Sequence, residues 1–189
     1  MARFTPQARA AYGCGGGSRP SVAVMTDAAR LFHRLSRVPG GRWVFSRALG
    51  RRAPYFRTIR PDVRSVERGR AEVAVPKRRA VENHIGTVHV IAVCNGLEAA
   101  MGLLAEATTP RGMRWIPRGM EVAYVGKATT DLVCVAESDP ALWNTPGDVP
   151  VRVTAVREDG AAVVEGTITV YVSERRSGTP DVAPDADGP

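Results

Sequence analysis

Residues 81–110 read VENHIGTVHVIAVCNGLEAAMGLLAEATTP, and the way this stretch folds decides the rest of the chain. From Thr87 to Thr108 nearly every side chain is apolar or small, which predicts a helix buried on almost all sides rather than an amphipathic surface helix. The polar exceptions are His89, Asn95, Glu98 and Glu106. Desolvating a carboxylate costs several kcal/mol unless it is paired or put to use, so Glu98 in mid-run is predicted to be there for chemistry. About 20 apolar residues would also cross a bilayer. Three polar side chains (His89, Asn95 and Glu98), Gly96, Gly102 and the lack of a Lys/Arg cluster at the ends predict a core helix instead.

On either side of this run the periodicity is that of strands. Val63, Val66 and Ala71–Val75 read as two strands turned at Glu67-Arg68-Gly69, and Gly119–Ala128, Asp131–Glu137, Val149–Arg157 and Ala161–Glu174 alternate with period two. Asp159-Gly160 marks a hairpin, Gly126–Asp131 a tight connection, and Ser138–Asp148 a longer loop. Such short connections leave no room for crossover helices, so the sheet is predicted to be mostly antiparallel. The fold class that follows is α+β: a curved antiparallel sheet of five to six strands wrapped around one long central helix, with N-terminal helices.

Before residue 53 the chain is different in character. Residues 1–60 hold 12 Arg and one acid, whereas residues 61–189 hold 14 Lys/Arg and 18 acids, so the formal charge of +7 belongs to the N-terminal part. A nucleic-acid partner is therefore not favoured for the globular part. Residues 1–24, with CGGGSRPS, lack the apolar run of a signal peptide and read as a disordered extension. Thr26-Asp27 after Met25 reads as a helix N-cap, and Met25 as the start of the functional chain. Residues 25–52 form a basic helical segment, 53–174 the main domain and 175–189, rich in Pro and Asp, a disordered tail. In the basic segment, arginines interleave with Leu31, Phe32, Trp43 and Phe45. A membrane-surface role is one reading, but an inward apolar face with a solvated arginine face is preferred. Three cysteines without CxxC spacing fit a reducing compartment and a cytoplasmic location, Cys94 and Cys134 reading as inert core residues. No metal-ligand spacing, phosphate loop or Ser/His/Asp signature is present, and no cofactor is implied.

Asn83-His84-Ile85-Gly86-Thr87-Val88-His89, with Glu98 nine residues after His89, resembles a segment of the hotdog-fold acyl-CoA thioesterases, specifically the phenylacetyl-CoA thioesterase-like branch. There the pattern N-x-x-G-T-x-H-G-G precedes an Asp or Glu on the central helix. The likeness covers roughly residues 55–173. The departure is Val90-Ile91, where the pattern has two glycines, so the chain looks like a poorly characterised subgroup with bulkier residues and a narrower space for substrate. By position, the resemblance implies that Glu98 is general base or nucleophile, that the Val90 N–H binds the thioester oxygen and that Asn83 orients the attacking group. His89 would help polarise the carbonyl, with Gly86 and Thr87 lining the substrate.

Nine positions at 100° each put His89 and Glu98 on opposite sides of one helix, about 13.5 Å apart along its axis. One chain cannot bring them together, so a shared site needs a homodimer or a dimer of dimers, which agrees with a family whose sites lie between subunits. Each residue also has a plainer reading: Glu98 as an acid satisfied by a neighbouring amide or hydroxyl, His89 as a cap, Asn83 as a turn former. Two basic clusters, Lys77-Arg78-Arg79 and Arg111, Arg114 and Arg118, are candidates for coenzyme A phosphates. Trp115, Trp143 and Tyr124 are candidates for an acyl pocket, with core packing preferred for each. The expected function is hydrolysis of an acyl-CoA or similar thioester. The alternative is a catalytically silent hotdog protein that binds acyl-CoA or a fatty acid.

Overall fold

The computed structural model describes residues 27–175. The expectations for residues 1–24, for the start at Met25 and for the tail beyond Arg175 lie outside the described residues. Helices α1 (Asp27–Ser36) and α2 (Gly41–Arg52) lead through a 3-10 turn, Pro54–Ile59, into strands β1 (Asp62–Glu67) and β2 (Arg70–Val75). After a loop comes α3 (Val90–Thr108), then β3 (Met113–Tyr124), β4 (Leu132–Glu137), β5 (Gly147–Arg157) and β6 (Ala162–Glu174). The six strands form one antiparallel sheet in the order β1-β2-β4-β5-β6-β3, and α3 packs on its apolar face.

The period-two alternation explains which face that is. Val149, Val151, Val153 and Ala155 on β5 and Leu132, Cys134 and Ala136 on β4 are all buried, while the residues between them are more open. On the helix side the fit is close: a Cβ at Gly96 would meet Cys134 Sγ and Val75 Cγ2 at 2.7 Å each, so only glycine lets α3 lie this near the sheet. Thr108 pins the helix end, its hydroxyl accepting from Gly69 N–H at 2.9 Å in the β1–β2 turn. By length and hydropathy alone α3 would also suffice to cross a membrane; its packing between the sheet, α1 and the 3-10 turn makes it the core helix expected.

Three expectations are corrected here. The segment 125–131 does not join neighbouring strands but crosses the end of the β5–β6 hairpin to carry the chain from β3 at one edge to β4 in the middle. It is held on the way by the Val125 and Gly126 N–H groups donating to Val163 O and by Thr130 Oγ1 accepting from Glu158 N–H. β3 starts at Met113 rather than Gly119, because Pro117 and a bulge at Arg118 break the alternation that marks a strand. The basic segment does not divide cleanly into apolar and arginine faces. Phe32 and Phe45 stack edge-to-face in the core at 5.1 Å, but Leu31 and Trp43 stand in solvent among the arginines. Ser46 fastens α2 to β1 by accepting from Val63 N–H at 2.9 Å.

Candidate functional site

The loop before α3 is built around Asn83. Its Oδ1 accepts from the N–H groups of Ile85 and Thr87, both at 3.1 Å, and its Nδ2 donates to Thr87 Oγ1 at 2.8 Å. Gly86 allows the tight reversal, with φ of +77°. Asn83 therefore has the turn-forming role; the side chain expected to orient an attacking group is already engaged within its own loop. Thr87 is likewise held in the turn. Val88 N–H donates to Ala128 O on the crossing segment and His89 N–H to Val81 O, which ties the start of α3 to the crossing segment and to the chain just before the loop.

His89 is the N-cap of α3. Its Nδ1 accepts from Ile91 N–H at 3.1 Å, which leaves the ring proton on Nε2, and its carbonyl accepts from Ala92 and Val93. The Val90 N–H, the first of the helix, has no acceptor among the described residues. One open donor thus remains at the positive end of a 19-residue helix, between a capping imidazole and a half-buried valine. Of the two residues that replace the glycine pair, Val90 packs against the core and Ile91 is 54% exposed.

Glu98 requires a correction: in the single chain it is exposed, not buried. The sheet, α1 and the 3-10 turn leave a stripe of α3 open, and Ile91, Cys94, Glu98, Gly102 and Glu106 lie along it. Because most of the stripe is apolar or small, it reads in sequence like the buried faces. A Cβ at Gly102 would meet only Trp115 Cη2, at 3.7 Å, so there is space beside Glu98. Asn95, one turn earlier and a polar exception of the run, does not lie on this stripe. It is buried, its Nδ2 donates to Thr58 Oγ1 at 3.1 Å, and its Oδ1 has no donor among the described residues. Only its place as a polar residue in an apolar run marks it in the sequence.

The proposed phosphate ligands are mostly engaged. Arg118 donates to Asp148 at 3.1 Å and stacks over Tyr171 at 3.9 Å, so it is braced within the sheet. Lys77 pairs with Glu82 at 2.6 Å, Arg78 donates to Thr58 O, and Arg114 donates to Ser173 Oγ. Burial, with the Arg60 charge behind it, holds the Arg78 guanidinium below its ordinary value. Trp143 is fully buried, as core packing requires, but Tyr124 is 64% exposed and is not a core residue. The loop residues Asn83, Gly86, Thr87, His89 and Val90 meet at one end of α3, with Glu98 further along the helix and Arg118 on an edge strand.

Residues 41–172 match the model of a domain of unknown function, DUF4442. The chain belongs to the DUF4442 family. A structural-genomics crystal structure, target APC5556, is 42% identical, with a TM-score of 0.68 over 78% of this chain and 99% of its own. A Pseudomonas aeruginosa protein of unknown function, PA5026, described as a probable thioesterase, is 16% identical with a TM-score of 0.62, covering 69% of this chain and 93% of its own. A thioesterase family protein from Silicibacter pomeroyi is 23% identical with a TM-score of 0.57, covering 69% and 96%. A comparison with curated proteins gives no match. Likeness at such identities concerns the fold: this DUF4442 chain has the hotdog architecture that the resemblance implied.

Proposed function

We propose that the chain hydrolyses an acyl thioester of the acyl-CoA class at sites shared between two copies of itself. The observation that carries this reading is the Val90 N–H, left without an acceptor among the described residues at the N-terminus of α3. A thioester carbonyl gains negative charge on its oxygen as water attacks. A preformed donor aimed at that oxygen is typically worth about 3–4 kcal/mol. Glu98 of the second copy takes the proton of the attacking water, the carbon–sulfur bond breaks, and the leaving thiolate takes that proton back from Glu98, giving a carboxylic acid and a free thiol. His89 holds the donor in place by capping the next amide, and Asn83, Gly86 and Thr87 hold the loop. Hydrolysis as the reaction class is supported by the thioesterase names of the structural relatives and by the family motif at residues 83–98.

Two features support a shared site. β3 ends the sheet with its outer edge unpaired among the described residues, and the open stripe of α3 carries Ile91 and Glu98 uncovered. A second copy that covers the stripe would give Glu98 the desolvated setting a base near neutral pH needs.

The test uses Val90→Pro. His89 has φ −64° and ψ 134°, the backbone that tolerates a following proline, and proline is at home in the first position of a helix. The substitution therefore deletes one N–H and leaves the helix intact. The expected result is a fall in kcat of about a hundred- to a thousandfold across a panel of acyl-CoA substrates, with the circular dichroism unchanged. Glu98→Gln is expected to abolish turnover. Tight acyl-CoA binding without any turnover in the unmodified chain would replace hydrolysis by the silent-binder alternative.

A further inference from the structure

Helices α1 and α2 carry a surface that is exposed among the described residues and that the site does not use. Residues 27–60 hold nine arginines and a single acid, Asp27. Phe32 and Phe45 turn inward, whereas Leu31, Val38, Trp43, Val44 and Tyr55 are exposed, Trp43 to 63%. At 100° per residue, Trp43, Val44, Arg47, Ala48 and Arg51 share one side of α2, and all five face solvent. Arg47 lies over the Trp43 ring at 5.0 Å. Arg42 is matched by Asp62, but Arg34, Arg37, Arg51 and Arg52 are exposed with no carboxylate paired to them among the described residues.

Two properties coincide on this surface, and they narrow its partner. A nucleic acid would use the charge but gain little from Leu31, Val38 and Val44. An apolar protein patch would use those side chains but leave unmatched arginines at its rim. A bilayer rich in anionic lipid satisfies both: guanidinium groups meet headgroup phosphates while their methylene stems, the indole and the aliphatic side chains enter the boundary above the acyl chains. Charge elsewhere sets the orientation, since residues 61–189 carry more acids than bases and are repelled by the same surface.

We propose that α1, the turn after it and α2 dock the chain peripherally on an anionic lipid bilayer, with Trp43 and Val44 as the inserted side chains and the arginines around them as headgroup ligands. This does not depend on thioester hydrolysis, and hydrolysis of a soluble thioester by the same variants reports on the site separately.

The test is sedimentation of the full chain with vesicles of phosphatidylcholine, alone or with about a quarter phosphatidylglycerol. Binding to the anionic vesicles is expected to exceed binding to the neutral ones by at least about tenfold and to weaken strongly when salt is raised to about 0.5 M. The double substitution Trp43→Ser and Val44→Ser keeps every charge and is expected to weaken vesicle binding about tenfold. Arg47→Glu with Arg51→Glu is expected to abolish it. All four side chains are exposed, so circular dichroism should be unchanged. The proposal is overturned if no vesicles bind. It is equally overturned if binding ignores the Trp43/Val44 pair while a single-stranded RNA is bound as well, since the surface is then a plain polyanion site. Self-association that the Trp43/Val44 variant loses, without vesicle binding, would assign the surface to a second copy and also end the proposal.

Discussion

Asn83 accepts from two backbone N–H groups and donates to a threonine hydroxyl, so truncating it leaves three polar groups of one turn without their partners. The loop is only part-buried, and water recovers some of the loss; Asn83→Ala is expected to cost about 1–2 kcal/mol in urea denaturation. Asn83→Asp keeps both acceptors, and the Thr87 hydroxyl can turn to donate, so it should cost much less. If the alanine variant matched the unmodified chain in stability, the turn account would be wrong. Cys134 offers a second prediction at this scale. Burial, with the nearby Cys94 a smaller cause, pushes its thiol up to about 12 from an ordinary 9.0. Below pH 9 the thiol is neutral both folded and unfolded, and stability does not depend on it. Above pH 9 the unfolded chain releases the proton that the folded chain keeps, so stability falls as pH rises toward 12. Cys134→Ala should show a shallower fall over that window in chemical denaturation, and Cys134 should resist iodoacetamide at about pH 8 until the chain is unfolded.

Two glycines of α3 distinguish its faces and make the prediction that belongs to elements. Gly96 meets the sheet, and Gly96→Ala would force a Cβ into Cys134 and Val75, which should cost about 1–3 kcal/mol. Gly102 lies on the open stripe, where a Cβ meets one ring atom at 3.7 Å, so Gly102→Ala should stabilise the chain by up to about 1 kcal/mol through helix propensity. Thermal unfolding of both variants checks the pair; equal effects would mean that the faces are misassigned. The same stripe shows where sequence reading stopped. Periodicity located α3, the hairpin at Asp159-Gly160 and the antiparallel sheet because the core faces of β4 and β5 alternate cleanly. It placed Glu98 inside because Ile91, Cys94 and Gly102 look like core residues whether or not anything covers them. It missed the first half of β3 because Pro117 and the bulge at Arg118 shift which side chains point inward. Motif spacing brought the residues around the start of α3 together, but Asn83's commitment to its own turn and Asn95's contact with Thr58 are long-range or geometric facts that no spacing carries.

At the scale of the whole molecule the decisive question is whether Val90 and Glu98 act from one chain or two. Eight residues, about 12 Å of helix rise, separate Val90 from Glu98, so a donor in the first turn and a carboxylate on the open stripe do not converge on one substrate atom within a chain. Val90→Pro is expected to keep at most about a hundredth of the activity alone, and Glu98→Gln none. When the two are unfolded together and refolded as a mixture, random pairing makes about half of the dimers mixed. In a mixed dimer one site combines both lesions. The other combines the intact Val90 N–H of the Glu98→Gln chain with the intact Glu98 of the Val90→Pro chain. Recovery of about a quarter of the unmodified activity is therefore expected, measured by thioester hydrolysis against each variant refolded alone. Sites contained within one chain would recover nothing, because every chain carries one lesion; that result would sink the shared site. Ile91→Asp supplies the matching structural control. Ile91 is exposed in the single chain, so the fold should survive the charge, whereas a partner covering the stripe could not accommodate it. Light scattering should then give the mass of a single chain, with hydrolysis lost in proportion to dissociation.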